Sequence, residues 1–133
     1  MNKICTSINQ SKKLIELGVD INTADMIWTY DFTVNDINGL NVISNNFKIE
    51  ENDIPAWSLS ALLDVIPKHI KDFAVLRMDM GENDFSIWYD DINLGMVNAY
   101  LPDITKENPI DSCVEMIVKL HEQKLLSYDE KYH

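Results

Sequence analysis

The sequence predicts an α+β fold: one domain over residues 1–133, with about three helices packed on a small, mostly antiparallel sheet. Helix punctuation occurs at three separated places, around Ser7, Ser58 and Asn108. Between the second and third, Phe73–Met80 and Phe85–Asp90 carry strand-like alternation around a turn. The resulting order is helix, β-like region, helix, hairpin, helix, which argues against a strictly alternating parallel α/β sheet. With 133 residues, 46% of them hydrophobic, the chain can fill one core. Four glycines and four prolines leave no room for a low-complexity linker.

The first helix is expected over Ser7–Leu17. Ser7 with Gln10 forms a capping box, Gly18 supplies the left-handed stop, and Val19 is set to pack on Leu14. Ile8, Leu14, Ile15 and Leu17 make its apolar stripe. Met26–Phe32 is aromatic and β-branched and reads as a strand, Asn38-Gly39 as a turn, and Leu40–Ile49 as a second strand. The second helix starts at Ser58, with Trp57 and Leu62 as a hydrophobic staple. It buries Leu59, Leu62, Leu63 and Ile66 and stops at Pro67. In the hairpin, Leu76, Met78 and Met80 alternate with Arg77 and Asp79, residues 81–84 turn, and Phe85, Ile87 and Tyr89 face inward. Trp88 then falls on the less buried face, and a third strand is expected at Met96–Leu101. The last helix takes Asn108 as cap and Pro109 as first residue, with Asp111 favourably placed against the helix dipole. Ile110, Cys113, Val114, Ile117, Leu120 and His121 line its inner face, and Glu115 can pair with Lys119. It should end near Leu126, leaving 127–133 as a frayed tail.

Acidic residues number 22 against 11 basic, for a net charge of −11. Nucleic-acid backbones bind through Lys and Arg that displace counterions, so direct DNA or RNA binding is disfavoured. An acidic surface instead suits a basic protein partner or serves solubility. No apolar run approaches the roughly 20 residues of a membrane span, and the N-terminus has no signal-peptide core, so a cytoplasmic location is expected. Cys5 and Cys113 stand far apart, and in that compartment a disulfide between them is not expected.

Chemistry is sparse. His69, His121 and His133 lack metal-site spacing, and no Cys-x-x-Cys pair exists. Asp79, Glu82, Asp84, Asp90 and Asp91 form the densest acidic stretch, but not at the spacing of a helix-loop-helix calcium site. Ser58 and Ser60 sit where capping explains them, and Cys113 has apolar and acidic neighbours rather than the electropositive setting of a reactive thiol. Isolated glycines give no phosphate loop. No cofactor is called for. Asp20, Asp25 and Asp31 are the one carboxylate set that a hydrolytic pair, with or without a divalent cation, would draw on. The aromatics Trp28, Tyr30, Phe32, Trp57 and Trp88 either fill the core or build a recognition surface. Of these, Trp28, Tyr30 and Trp88 are the candidate interaction residues.

Four segments in order, Ser11–Gly18, Thr23–Met26, Ile54–Leu63 and Asn108–Ile117, resemble small proteins encoded by gut bacteria of the Bacteroides type, often in prophages and other mobile elements. Trp-Ser-Leu-Ser-Ala-Leu-Leu at 57–63 is the most specific part. The resemblance implies a mobile-element origin and a cytoplasmic location, and brings no activity or site residues with it. The expected function is that of a non-enzymatic accessory or interaction protein. The alternatives are an acidic nucleic-acid mimic that inhibits a DNA-binding protein, and a small carboxylate hydrolase.

Overall fold

Ser7 and Gln10 open the first helix as their spacing requires. In the computed structural model, which describes residues 3–43, 49–70, 74–91, 101 and 103–126, helix α1 spans Ile8–Leu17. The Ser7 hydroxyl accepts from the Gln10 amide at 3.1 Å, and the Gln10 side chain accepts from the Ser7 amide at 3.0 Å. Two donors that a helix start leaves over are thereby satisfied. Gly18 is left-handed at φ 99°, and the amides of Gly18 and Val19 reach back to Ile15 and Leu14, both at 3.0 Å. The buried stripe departs from expectation in one member. Ile15 is exposed, and Ser11 is buried instead, its hydroxyl bonded to Thr6 at 2.7 Å.

A 3-10 turn over Ile21–Thr23 leads into the first sheet. Strands β1 (Met26–Asp31) and β2 (Asp36–Val42) form a hairpin, and β3 (Ile54–Ala56) pairs on the other side of β1, giving the order β2-β1-β3. Asn38-Gly39 is not the turn. Residues 32–35 turn, with Asn35 at φ 57°, and Asn38-Gly39 lies inside β2, where the register slips between Trp28 and Tyr30. Gly39, at φ 122°, sits in a β-bulge, and a Cβ there would come within 3.3 Å of Thr29 Oγ1. Bulge and turn ask for the same positive-φ chemistry, so the dipeptide signals either. The second strand therefore starts at Asp36 rather than Leu40, and residues 44–48 lie outside those described.

The second sheet has the order β4-β5-β6-β7, all antiparallel: β4 (His69–Ile70), β5 (Ala74–Met80), β6 (Phe85–Asp91) and β7 (Ile104–Lys106). The turn at 81–84 closes with the Gly81 amide on the Asp84 carbonyl at 2.9 Å. Phe85, Ile87 and Tyr89 are buried as expected. The alternation in β5 holds only as far as Leu76, since Met78 and Met80 are 44% and 65% exposed. They share a face with Ile87 and Phe85, but β4 is two residues long and helix α3 packs over β6 and β7 instead. The strand that pairs with β6 on its far side is Ile104–Lys106. Of the strand expected at Met96–Leu101, only Leu101 is among the described residues, and it is buried outside any strand.

Helix α2 (Leu59–Val65) begins at Ser58 and ends before Pro67, with Trp57 and Leu62 both fully buried in one core cluster. Helix α3 (Pro109–Glu122) starts on Asn108, whose side chain accepts from the Ile110 amide at 2.8 Å. Ile110, Cys113, Ile117 and Leu120 join Leu14, Ile66, Ile87 and Tyr89 in the same cluster. Each such side chain contributes about 1.5–3 kcal/mol by leaving water. The helix ends four residues before the expected Leu126. Lys124 takes the left-handed position at φ 60°, and the amides of Lys124 and Leu125 return to His121 and Leu120 at 3.0 and 2.9 Å. This is a glycine-type stop built on lysine, which no composition signal announces. Cys5 and Cys113 are buried free thiols. No helix among the described residues is long and apolar enough to cross a membrane.

Candidate interaction surface

Side chains directly opposite each other in an antiparallel pair share a face of the sheet. Met26 pairs with Val42, Trp28 with Leu40 and Ile54, and Tyr30 with Ile37. Seven large apolar or aromatic residues are thus gathered on one face. The bulge makes this possible, because Ile37 and Leu40 have opposite parity and would otherwise point to opposite sides. None of the seven is buried, and Val42 is 68% exposed. Phe32, 73% exposed at the hairpin tip, meets the Tyr30 ring edge-on at 4.8 Å. Ile4, 60% exposed, borders the face from the N-terminal segment. A depression of about 320 Å³ lined by Lys3, Ile4, Cys5, Ser7, Trp28 and Leu40 separates the two.

Beyond Ile27, which is fully buried at its base, the reverse face is polar along the hairpin. Asn41 donates to Thr29 Oγ1 at 3.0 Å, Thr29 donates to the Gly39 carbonyl at 3.2 Å, and Asn38 donates to Asp31 at 3.1 Å. Bonds from the Thr33 side chain and backbone, and then from Asn38, hold the Asp31 carboxyl below the usual carboxylate range. The hairpin is therefore two-sided, with its polar face internally satisfied and its apolar face open.

Trp28 is fixed rather than loose. Its indole N–H donates to the Thr6 carbonyl at 3.1 Å. Thr6 is itself fully buried and holds the β3–α2 junction twice, its amide donating to the Trp57 carbonyl at 2.9 Å and its hydroxyl accepting from the Trp57 amide at 3.0 Å. The Trp57 indole donates to Thr23 at 2.9 Å. Asp25 accepts from both the amide (2.9 Å) and the hydroxyl of Ser58. One polar hub thus ties the N-terminal segment, α1, β1 and the start of α2 together.

Carboxylates collect near the hairpin and β3. Asp36, Glu50 and Glu51 are exposed, and Asp53 accepts from the amides of Tyr30 (2.8 Å) and Glu50 (2.9 Å). Lys3, the basic residue beside the depression, is taken up by Asp111 at 2.6 Å. The apolar face has an acidic margin. No protein-family model, curated protein or solved structure matches this chain.

Of the three residues picked out from the sequence, Trp28 and Tyr30 lie side by side on β1, whereas Trp88 belongs to the other sheet. Trp88 is half-buried beside Asp90, which accepts from its indole at 2.9 Å and pairs with Arg77 at 3.4 Å. Trp57 is core. Ile37, Leu40, Val42 and Ile54 were missed, because their membership depends on a register that the bulge sets. Asp20, Asp25 and Asp31 are each committed to a different local task. Asp20 caps the 3-10 turn through the Asn22 amide (2.9 Å), Asp25 holds Ser58, and Asp31 accepts from the Thr33 amide at 2.9 Å. Among the described residues no group of three or more His, Cys, Asp or Glu is placed to hold a metal ion.

Proposed function

We propose that the chain is a non-enzymatic accessory protein of a mobile genetic element that docks a basic protein partner through the open face of the β1–β2 hairpin. One observation carries the reading: the pairing of β1 with β2 and β3 assembles Trp28, Tyr30, Leu40 and Val42 into a partly exposed apolar face with an acidic margin. Rigid aromatics within an apolar patch are the usual anchors of protein interfaces, and complementary charge at the margin steers the encounter. The net charge of −11 favours a basic partner over nucleic acid.

The test is a host-lysate pull-down, with and without nuclease, using the wild type and the double variant Leu40→Lys/Val42→Lys, which charges the face but leaves the Thr6 hub intact. The reading expects one stoichiometric basic protein, bound at least about tenfold more weakly by the variant, as for the loss of about 1–3 kcal/mol at interface anchors. Equal capture by both proteins, with unchanged circular dichroism, rejects the face. Capture abolished by nuclease rejects a direct protein partner.

A further inference from the structure

The edge of β5 is left open halfway along its length. Leu76 donates its amide to the Lys68 carbonyl on the β4 side at 2.9 Å. Gly81, five residues on, donates to Asp84 on the β6 side, also at 2.9 Å. Backbone groups alternate sides from one strand residue to the next, so the N–H and C=O of Met78 and Met80 point to the β4 side. There β4 has already ended, its pairs being His69 with Val75 and Ile70 with Ala74. Among the described residues nothing pairs with that stretch of edge.

The open stretch runs beside a depression of about 560 Å³ lined by Leu59, Ser60, Leu63, Asp64, Lys68 and Met78. A strand laid along the edge projects alternate side chains to the face that Met78 occupies, over Leu59 and Leu63 of α2. The intervening side chains lie on the other face, next to Asp79. Arg77 is already paired with Asp90, and the Asp79 carboxylate has no hydrogen bond or ion pair among the described residues.

A second copy of the chain fits this edge poorly. Antiparallel self-pairing centred on Met78 sets the Met80 of one copy against Leu76 of the other, where Lys68 already holds the amide. Centring on Asp79 sets the two Asp79 carboxylates directly opposite each other, a destabilising like-charge pair. We propose that the open edge of β5 at Met78–Met80 takes up an extended segment of another protein as an added strand. That segment carries apolar residues at alternate positions over the α2 groove, with a basic residue between them facing Asp79. This is strand addition, in which the main chain supplies affinity and alternate side chains supply selectivity. It stands independently of the hairpin face.

The probe is an acetylated, amidated hexapeptide alternating valine and lysine, titrated into the full chain and followed by the backbone amides in nuclear magnetic resonance. Saturable shifts are expected at Met78, Met80 and Leu63. In an antiparallel added strand the valine nitrogens face the edge, so their N-methylation should weaken binding about tenfold or more, whereas N-methylation of the lysine nitrogens leaves it unchanged. Asp79→Lys, a change at an exposed position, should weaken the peptide and favour its valine–glutamate counterpart. No saturable shift at Met78 and Met80 by about 5 mM peptide overturns the proposal, as does equal loss from both methylation patterns. Concentration-dependent dimers whose Met78 and Met80 amides are protected without peptide also overturn it, in favour of a second copy.

Discussion

Thr6→Val tests the polar hub in a side chain of nearly unchanged shape. The substitution removes the hydroxyl that accepts from the Trp57 amide at 3.0 Å and bonds Ser11 at 2.7 Å. Thr6, Ser11 and Trp57 are all fully buried, so no water takes over. An orphaned buried polar group costs about 1–3 kcal/mol, and two are created, for a loss of about 3 kcal/mol. With about 2.1 cal/mol/K per residue of unfolding entropy over 133 residues, this lowers Tm by about 11 °C. Ser11→Ala removes the shared bond alone and costs about 1 kcal/mol. The double variant should cost about 2 kcal/mol, less than Thr6→Val alone and well below the additive value of about 4, because the Ser11 hydroxyl is no longer left behind. Urea titrations of the four proteins read the cycle. A Thr6→Val loss under about 1 kcal/mol, or strict additivity, refutes the assignment of Thr6 as the fastening point.

Other expectations follow from single sites. Lys124→Gly relieves the left-handed strain at φ 60° and should raise stability by about 1 kcal/mol in the same titrations. Partial burial pushes the Asp111 carboxyl up, and bonds from Lys3 (2.6 Å) and Gln10 (2.8 Å) with nearby lysine charge outweigh it, leaving Asp111 below the usual carboxylate range. Its contribution is therefore full above the unfolded value of about 3.9 and is lost as pH falls through the lower folded value. Asp111→Asn should cost at most about 1 kcal/mol at neutral pH, since the pair is partly solvated, with the difference from wild type closing in acid. Burial pushes the Cys113 thiol up to about 12 and also raises Cys5. At pH 8 Cys113 should react with a thiol reagent only as fast as the chain unfolds, so rapid labelling of Cys113 in the native protein contradicts its placement.

Local grammar was legible wherever a side chain answers to its own backbone. Ser7 with Gln10, Ser58, and Asn108 with Pro109 mark helix starts by chemistry confined to one turn, and Gly18 marks a stop in the same way. The α+β architecture followed from those marks and from the Phe85–Tyr89 alternation. What failed depended on partners distant in sequence. Asn38-Gly39 offers one conformational preference that suits two structures, and only pairing with Thr29 selects the bulge. Met78 and Met80 kept strand periodicity past the point where a neighbouring strand covers them. Ile15 and Ser11 exchanged places because Thr6 supplies a buried partner for a hydroxyl. For the surface, Trp28 and Tyr30 were legible as aromatics on a strand. The residues that complete their face were not, since a one-residue slip reverses every assignment on β2.

The fastening of Lys3 to Asp111 spans 108 positions in the chain. Ribosomal synthesis adds about 5–20 residues per second, so Lys3 waits about 5–20 s for Asp111. The Thr6 contact with Trp57, 51 positions away, becomes available in about half that time. The segment around Lys3 is thus fastened in two stages, at Thr6 first and at Lys3 later. The second stage waits on α3, the helix that carries Asp111.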